Sequence, residues 1–367
     1  MAFQKVAFIG LGLIGGSIAK KIRAMHPDTV IYAIARRTET IEEAYREGII
    51  NNSAPMSFAD LSDCDHIFLC APVEKNIEYL QELKPIIRQD CCISDVGSTK
   101  TKIHEEVIRL HLERNFIGGH PMTGSEKTGV KNAKASLLEN AYYIITPTPQ
   151  TTNEQLDEFY QFVKELGSIP LVLDYKTHDY ATASISHLPH MIAFTLVNLV
   201  KDIDDESETM KTIAAGGFKD ITRIASSSPV MWENICSSNQ EPILQLMDLY
   251  MDRLATLRQW IAEGDSKALT SYFQTAKDYR DSFQIPSDKS PNKVHEIYLD
   301  LMDAPGQIAI IANLLAHANI SIKNIGIIHN REFEEGVLRI EFYDAGSKKR
   351  AIEILHEHDY VLYRHEN

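Results

Sequence analysis

One histidine between a glycine pair and a proline stands out as a candidate for proton chemistry. His120 lies in GGHPMTGSEKTG, residues 118–129, where Gly118 and Gly119 free it and Pro121 stiffens it. An imidazole that titrates near neutrality is suited to take a proton from a hydroxyl. A second segment, SDVGSTK at 94–100, offers the Ser98 hydroxyl, which is also placed to cap the helix that STK opens. A third, GGFKDITRIASSSPVMW at 216–232, offers Arg223, whose guanidinium makes two parallel hydrogen bonds to a carboxylate. Lys219 stands four residues earlier on the same helical face, and Gly216 and Gly217 allow a ligand to come close. Plainer roles exist beside these: Arg223 paired with Asp220, or Trp232 as a core residue rather than the cover of a pocket. Ser125 and Glu126 follow His120 closely, and Glu126 either orders the pocket or pairs with Lys127 or Lys131. Asp179 is expected at the substrate, near His187 and His190. The spacing of those two histidines suits a metal, but no third ligand is evident and Pro189 interrupts them. No metal is expected, and the histidines read as pocket-lining or hydrogen-bonded. These residue types describe proton removal beside an anionic substrate.

A glycine turn near the N-terminus supplies a second chemistry. Gly10-Leu11-Gly12-Leu13-Ile14-Gly15 follows a strand-like run, KVAFIG, and opens a helical one. Gly10 permits the tight turn, Gly12 lets the backbone approach a pyrophosphate, and Gly15 lets helix and strand pack closely. The helix then offers free N–H groups and partial positive charge to the phosphates. The motif predicts a nicotinamide dinucleotide, NAD or NADP. The next strand ends Ala35-Arg36-Arg37, with no acid for a ribose 2′-hydroxyl. Arg36 and Arg37 face a 2′-phosphate, leaning the preference to NADP or to both cofactors, or simply end the strand in solvent, or Arg36 stacks on the adenine.

These residues need a scaffold of several domains. The chain has 367 residues, too many for one ordinary core, with 44% hydrophobic and 24% charged residues. Residues 1–174 alternate strand-like and helix-like patterns, as expected for an α/β Rossmann-type domain with a mostly parallel sheet. Residues 175–285 lose the strands and read as a separate all-α domain, for which the resemblance described below implies substrate binding and dimerisation. Residues 286–294 carry Pro and small polar residues, as a linker does, and 295–367 follow a βαββαβ order typical of a small ferredoxin-like domain. A net charge of −14 argues against nucleic acid as a partner. No uninterrupted apolar run reaches roughly 20 residues, so no membrane partner is expected. The apolar N-terminal stretch reads as a buried strand rather than a signal peptide, and five Cys without a CxxC pair fit a cytoplasmic, reducing setting.

The glycine turn and the three motifs together resemble the prephenate dehydrogenase family of tyrosine biosynthesis, across the first two domains. The resemblance implies oxidative decarboxylation of prephenate to 4-hydroxyphenylpyruvate, with hydride transfer from ring C4 to NAD(P). It implies that His120 accepts the C4 hydroxyl proton, that Ser98 hydrogen-bonds nearby, and that Arg223 and Lys219 bind substrate, with Ser125 and Glu126 close to it. The last domain resembles an ACT domain. This implies an amino-acid effector, with tyrosine the expected one, near Asp303, Gly306 and Asn324, and a homodimer. Arogenate dehydrogenase, or an enzyme accepting both substrates, is the near alternative. A dehydrogenase of 3-hydroxy acids would instead use a Lys base on the helical domain without GGHP. A non-catalytic sensor of dinucleotide and amino acid is the alternative of another class.

Overall fold

The computed structural model describes residues 4–124, 127–283, 295–301, 304–328, 336–358 and 360–363. Ser125, Glu126, Asp303 and the 286–294 segment lie outside them. The chain divides into two compact units, Met1–Ala255 and Thr256–Asn367.

The first unit opens with β1 (Lys5–Ile9), α1 (Leu13–Met25), β2 (Val30–Ile34), α2 (Thr38–Arg46), β3 (His66–Leu69), α3 (Val73–Leu83), β4 (Cys92–Asp95) and α4 (Thr101–Arg109). Their strands form a parallel sheet in the order β2-β1-β3-β4. The apolar runs of β1 and β3 explain why both faces are covered. Val6, Phe8 and Phe68 face one core with Ile18, Ile22 and Phe162. Ala7, Ile9, Ile67 and Leu69 face another with Ile93, Ile103 and Val107. Strands buried on both faces lack polar alternation, as these do.

β5 (Ile117–Pro121), β6 (Tyr142–Pro147), α5 (Asn153–Glu165) and β7 (Ile169–Val172) follow. A bridge between Ile93 and Phe116 sets β5 parallel to β4. β6 then runs antiparallel to β5, and β7 parallel to β6. His120 lies within β5, opposite Ile144. The glycines before it are there for space rather than freedom. A Cβ on Gly118 would sit 2.2 Å from Thr146 Oγ1 and 2.8 Å from His104 Nε2. One on Gly119 would sit 2.7 Å from the Asp95 carbonyl oxygen and from the Tyr143 hydroxyl.

The helical part runs through α6 (Tyr175–Thr182), a π-helical turn at Ala183–His187, α7 (Leu188–Ile203), α8 (Thr209–Ile213), α9 (Gly216–Thr222), α10 (Pro229–Ser238) and α11 (Gln240–Glu263). The π turn fuses α6 and α7 into one helix of 29 residues, long and apolar enough by length and composition to cross a membrane. Polar residues interrupt this helix, so it contains no unbroken apolar run of that length. Its first part buries His178, Asp179, Thr182 and His187, while Leu199 and Ile203 are exposed farther along. Ile213, Ile221 and Val230 add to the exposed apolar surface of these helices.

The second unit contains α12 (Ser266–Ser282), β8 (His295–Leu301), α13 (Gln307–His317), β9 (Ile322–Ile328), β10 (Gly336–Phe342), α14 (Ala345–Glu357) and the two-residue β11 (Leu362–Tyr363). Its antiparallel sheet has the order β11-β8-β10-β9. Leu299, Leu338 and Ile340 of the sheet pack on Ile311, Leu315, Ala351 and Leu355 of α13 and α14.

Candidate active site

The turns at the carboxyl ends of β1 and β4 carry two of the motifs, on the edge where open parallel sheets bind ligands. At the first, Gly10 has φ +92°, and a Cβ there would meet the backbone of Cys70 and Ala71 at 2.8 Å. A Cβ on Gly15 would meet Cys70 Sγ and the Gly10 carbonyl oxygen at 2.9 Å. Gly12 differs, since a Cβ there would meet no described atom within 4 Å. The first turn of α1 has no side-chain cap and no acid. Leu11 is buried beneath the loop, and Leu13 and Ile14 are half-buried. Open space at the middle glycine beside uncapped N–H groups fits a pyrophosphate. Arg36 and Arg37 are both exposed after β2, and neither forms an ion pair among the described residues.

The proton chemistry converges on His120. Its Nδ1 lies 2.8 Å from His178 Nε2, and His178 Nδ1 lies 2.8 Å from Asp179 Oδ1. Burial pushes the Asp179 carboxyl up, but hydrogen bonds from His178 and Thr101 outweigh it, so the group ends below the usual carboxylate range. An ionised carboxylate only accepts, so His178 Nδ1 carries the proton and His178 Nε2 is the acceptor. His120 therefore donates from Nδ1 and keeps a lone pair on Nε2. Burial, then His178, Lys100 and His187, hold His120 well below the ordinary histidine value. Burial also lowers His178, partly opposed by Asp179. A half-buried, unprotonated imidazole with a fixed tautomer, whose Nε2 forms no hydrogen bond among the described residues, has the character of a proton acceptor.

Asp179 is not the substrate ligand expected from its position. It is fully buried, and Oδ1 and Oδ2 accept from the Lys100 and Thr101 N–H groups at 2.7 Å each. This carboxylate, reaching over from α6, caps α4. Ser98 therefore does not cap that helix, and its half-buried hydroxyl bonds no described residue.

A second group of side chains comes from the helices. The indole of Trp232 is 5% exposed and stacks on His190 at 3.9 Å between ring centroids. It also belongs to a small core with Ala183, Ile235 and Leu246, the plainer of the two roles considered for it. Trp232 Nε1 and Asn239 Oδ1 are buried without a partner among the described residues. Asn239 Nδ2 donates to His187 Nδ1 at 3.1 Å and to the Asp179 carbonyl at 2.9 Å. Burial lowers His187 to about 4. His190 donates Nδ1–H to the Ser186 carbonyl and is lowered by burial, with Arg223 adding to the effect. Arg223 opens the short turn after α9, is exposed, and makes no ion pair with Asp220. Lys219 is exposed in α9, which begins at Gly216. Among the described residues no group of three or more metal-ligating side chains occurs.

Three participants were missed from sequence alone. His178 stands beside Asp179, but its role depends on a strand 58 residues away. Lys100 lies inside SDVGSTK and Asp95 begins that strand exit, yet nothing in their spacing shows that they pair.

Residues 18–170 match the nucleotide-binding domain model of prephenate dehydrogenase, and residues 174–275 match its dimerization domain model. A prephenate dehydrogenase of Bacillus subtilis is 38% identical over 94% of this chain and 94% of its own length. One from Lactococcus lactis is 35% identical over 96% of this chain and 97% of its own. Among solved structures, prephenate dehydrogenase from Aquifex aeolicus with hydroxyphenyl propionate and NAD+ superposes with a TM-score of 0.72. It is 31% identical and covers 77% of this chain and 99% of its own. Synechocystis arogenate dehydrogenase gives 0.69 at 29% identity, over 76% and 99%.

Proposed function

This chain belongs to the prephenate dehydrogenase family, and on that premise we propose how its residues divide the work. The protein is an NAD(P)-dependent oxidoreductase that converts prephenate to 4-hydroxyphenylpyruvate. The hydroxyl proton leaves the C4 oxygen, C4 gives up its hydrogen with both electrons, and the bond from C1 to the ring carboxylate breaks to release CO2. The electron pair of that bond completes the aromatic ring, and the resulting phenolate oxygen takes a proton back from the imidazolium. Bound nicotinamide supplies the acceptor for the hydride.

His120 Nε2 takes the hydroxyl proton. Its orientation by His178 and Asp179 is the observation that carries this reading. As positive charge appears on the imidazole, the buried Asp179 carboxylate opposes it through His178. Ser98 hydrogen-bonds near the same oxygen. Arg223 holds a substrate carboxylate, a role supported by its exposed guanidinium, which forms no ion pair among the described residues. Lys219 adds positive charge, and the stacked Trp232 and His190 form an apolar wall. Gly10 to Gly15 hold the pyrophosphate, and Arg36 and Arg37 permit NADP alongside NAD. The decisive assay compares prephenate with arogenate, each with NAD and with NADP. Dinucleotide binding without turnover of either substrate would make the chain a sensor instead.

The finer architecture is also proposed. The boundaries remain 1–174, 175–285, 286–294 and 295–367, with the last an ACT-like regulatory domain. Its support is the βαββαβ order and the reach of the Bacillus and Lactococcus matches into that region. Tyrosine binds near Asp303, Gly306 and Asn324; Gly306 (φ +91°) opens α13, and Asn324 is exposed opposite Glu341. Asn324→Ala in the full chain should weaken inhibition by tyrosine, and unchanged inhibition would remove that site. A homodimer formed through the exposed apolar faces of the helical domain, in the cytoplasm, completes the reading.

A further inference from the structure

Lys100 is tied at both ends to the residues that hold His120. Its backbone N–H donates to Asp179, which leads through His178 to the His120 ring. Its ammonium group pairs with Asp95, and both side chains are fully buried. Asp95 also accepts from Gly97 N at 2.9 Å and from Gly119 N at 3.3 Å, and Gly119 is the residue before His120. The contacts therefore close a ring that leaves His120 through its side chain and returns through its backbone. The stem of Lys100 lies under β5, where a Cβ on Gly118 would come within 3.2 Å of Lys100 Cδ.

A buried ion pair is a poor way to make a core stable. Desolvation offsets most of the attraction, and apolar residues of the same volume often do as well or better. The pair therefore calls for a role beyond packing. We propose that Lys100 is a positioning residue for the base: with Asp95 it fixes β5 and the line from Asp179 through His178, and it brings an ammonium group beneath the strand that carries His120. The charged and titratable groups acting on His120 come from three places: Lys100 before α4, His178 on α6 and His187 in the π turn. Asp95 acts on His178, where it works against Lys100. With its charge close by, Lys100 disfavours a second proton on His120 and keeps Nε2 open.

This inference rests on His120 being the base, and the experiment separates the two. The pH profile of kcat/KM is measured for wild type, His120→Asn, Lys100→Met, Asp95→Asn and the double variant Lys100→Met/Asp95→Asn, with folding checked by thermal melting. Lys100→Met is expected to move the acid limb up by about one pH unit, because a neighbouring positive charge is lost. The double variant moves it the same way and leaves no charge buried alone. Asp95→Asn, which keeps the ammonium, leaves the limb at or below its wild-type position. A double variant that folds and keeps the wild-type limb overturns the proposal. So does Asp95→Asn moving the limb upward, since a purely structural pair treats its two halves alike. In the wild-type enzyme, a His120 Cε1 resonance titrating at or above the ordinary histidine value overturns it as well. Retained turnover in His120→Asn would instead remove the base assignment itself.

Discussion

His120 Nδ1 and His178 Nε2 stand 2.8 Å apart, with the rings inclined at 68°. The contact has a direction because Asp179, on the far side of His178, can only accept. One carboxylate thus sets two tautomers and leaves the outer nitrogen of His120 as the acceptor. Removing the carboxylate charge should disturb catalysis from a distance. Asp179→Asn presents an amide to His178 and permits the wrong tautomer, so kcat should fall by roughly 10²–10⁴-fold. Steady-state kinetics test this, with KM for prephenate expected to change far less. Equal loss in kcat and in KM would point to a collapsed pocket.

Replacing the base itself gives a simpler outcome. His120→Asn should lower kcat by at least about 10²-fold with substrate binding nearly intact. Single-turnover and equilibrium binding measurements distinguish the two effects.

Arg223 should report on substrate binding. Arg223→Ala removes a charge-assisted pair of hydrogen bonds worth about 1.5–3 kcal/mol, or roughly 10–100-fold in KM, with a smaller change in kcat. Arg223→Lys should recover only part of the loss, because an ammonium lacks the fork of the guanidinium.

Gly12 and Gly15 should respond differently to the same added methyl. At Gly12 the Cβ meets no described atom, and φ is −94°, so Gly12→Ala should keep the melting temperature. It should raise the dissociation constant of the dinucleotide by about tenfold or more, because the backbone can no longer approach the phosphates. Gly15→Ala forces Cβ against Cys70 and the Gly10 carbonyl and should destabilise the fold by roughly 1–3 kcal/mol. Thermal melts and cofactor titrations on both variants decide the matter.

Acid should unfold the first unit through its buried histidines. Burial lowers His66 and His104 to about 3 and His187 to about 4. Unfolded histidine titrates near 6.5, so the unfolded chain takes up protons first. The stability from keeping these rings neutral is fully present above about pH 6.5 and is lost as pH falls toward the folded values. The slope approaches ~1.4 kcal/mol per pH unit for each such ring. His66 stacks near Phe68, Phe159 and Phe162, so His66→Phe should shallow the fall in melting temperature between pH 7 and 5.

Much of the scaffold is legible in the sequence because local chemistry dictates it. The run of glycines from Gly10 to Gly15 needs a tight turn and a close approach, and it forms both. Unbroken apolar runs in β1 and β3 call for strands covered on two sides. Nothing in GGHP shows that His120 sits inside β5 or that its glycines yield space to Thr146 and Tyr143.

The candidate base, the candidate dinucleotide turn and the candidate guanidinium were thus marked by residue type and spacing. What surrounds them was not. A hydrogen bond between His120 and His178, a carboxylate that caps α4 from another helix, and a lysine paired beneath the strand all join residues far apart in the chain. Such contacts leave no periodic trace, because their geometry depends on how β4, β5 and α6 pack. The sequence by itself determined which groups can react, and tertiary packing decided which nitrogen is left free and what keeps it so.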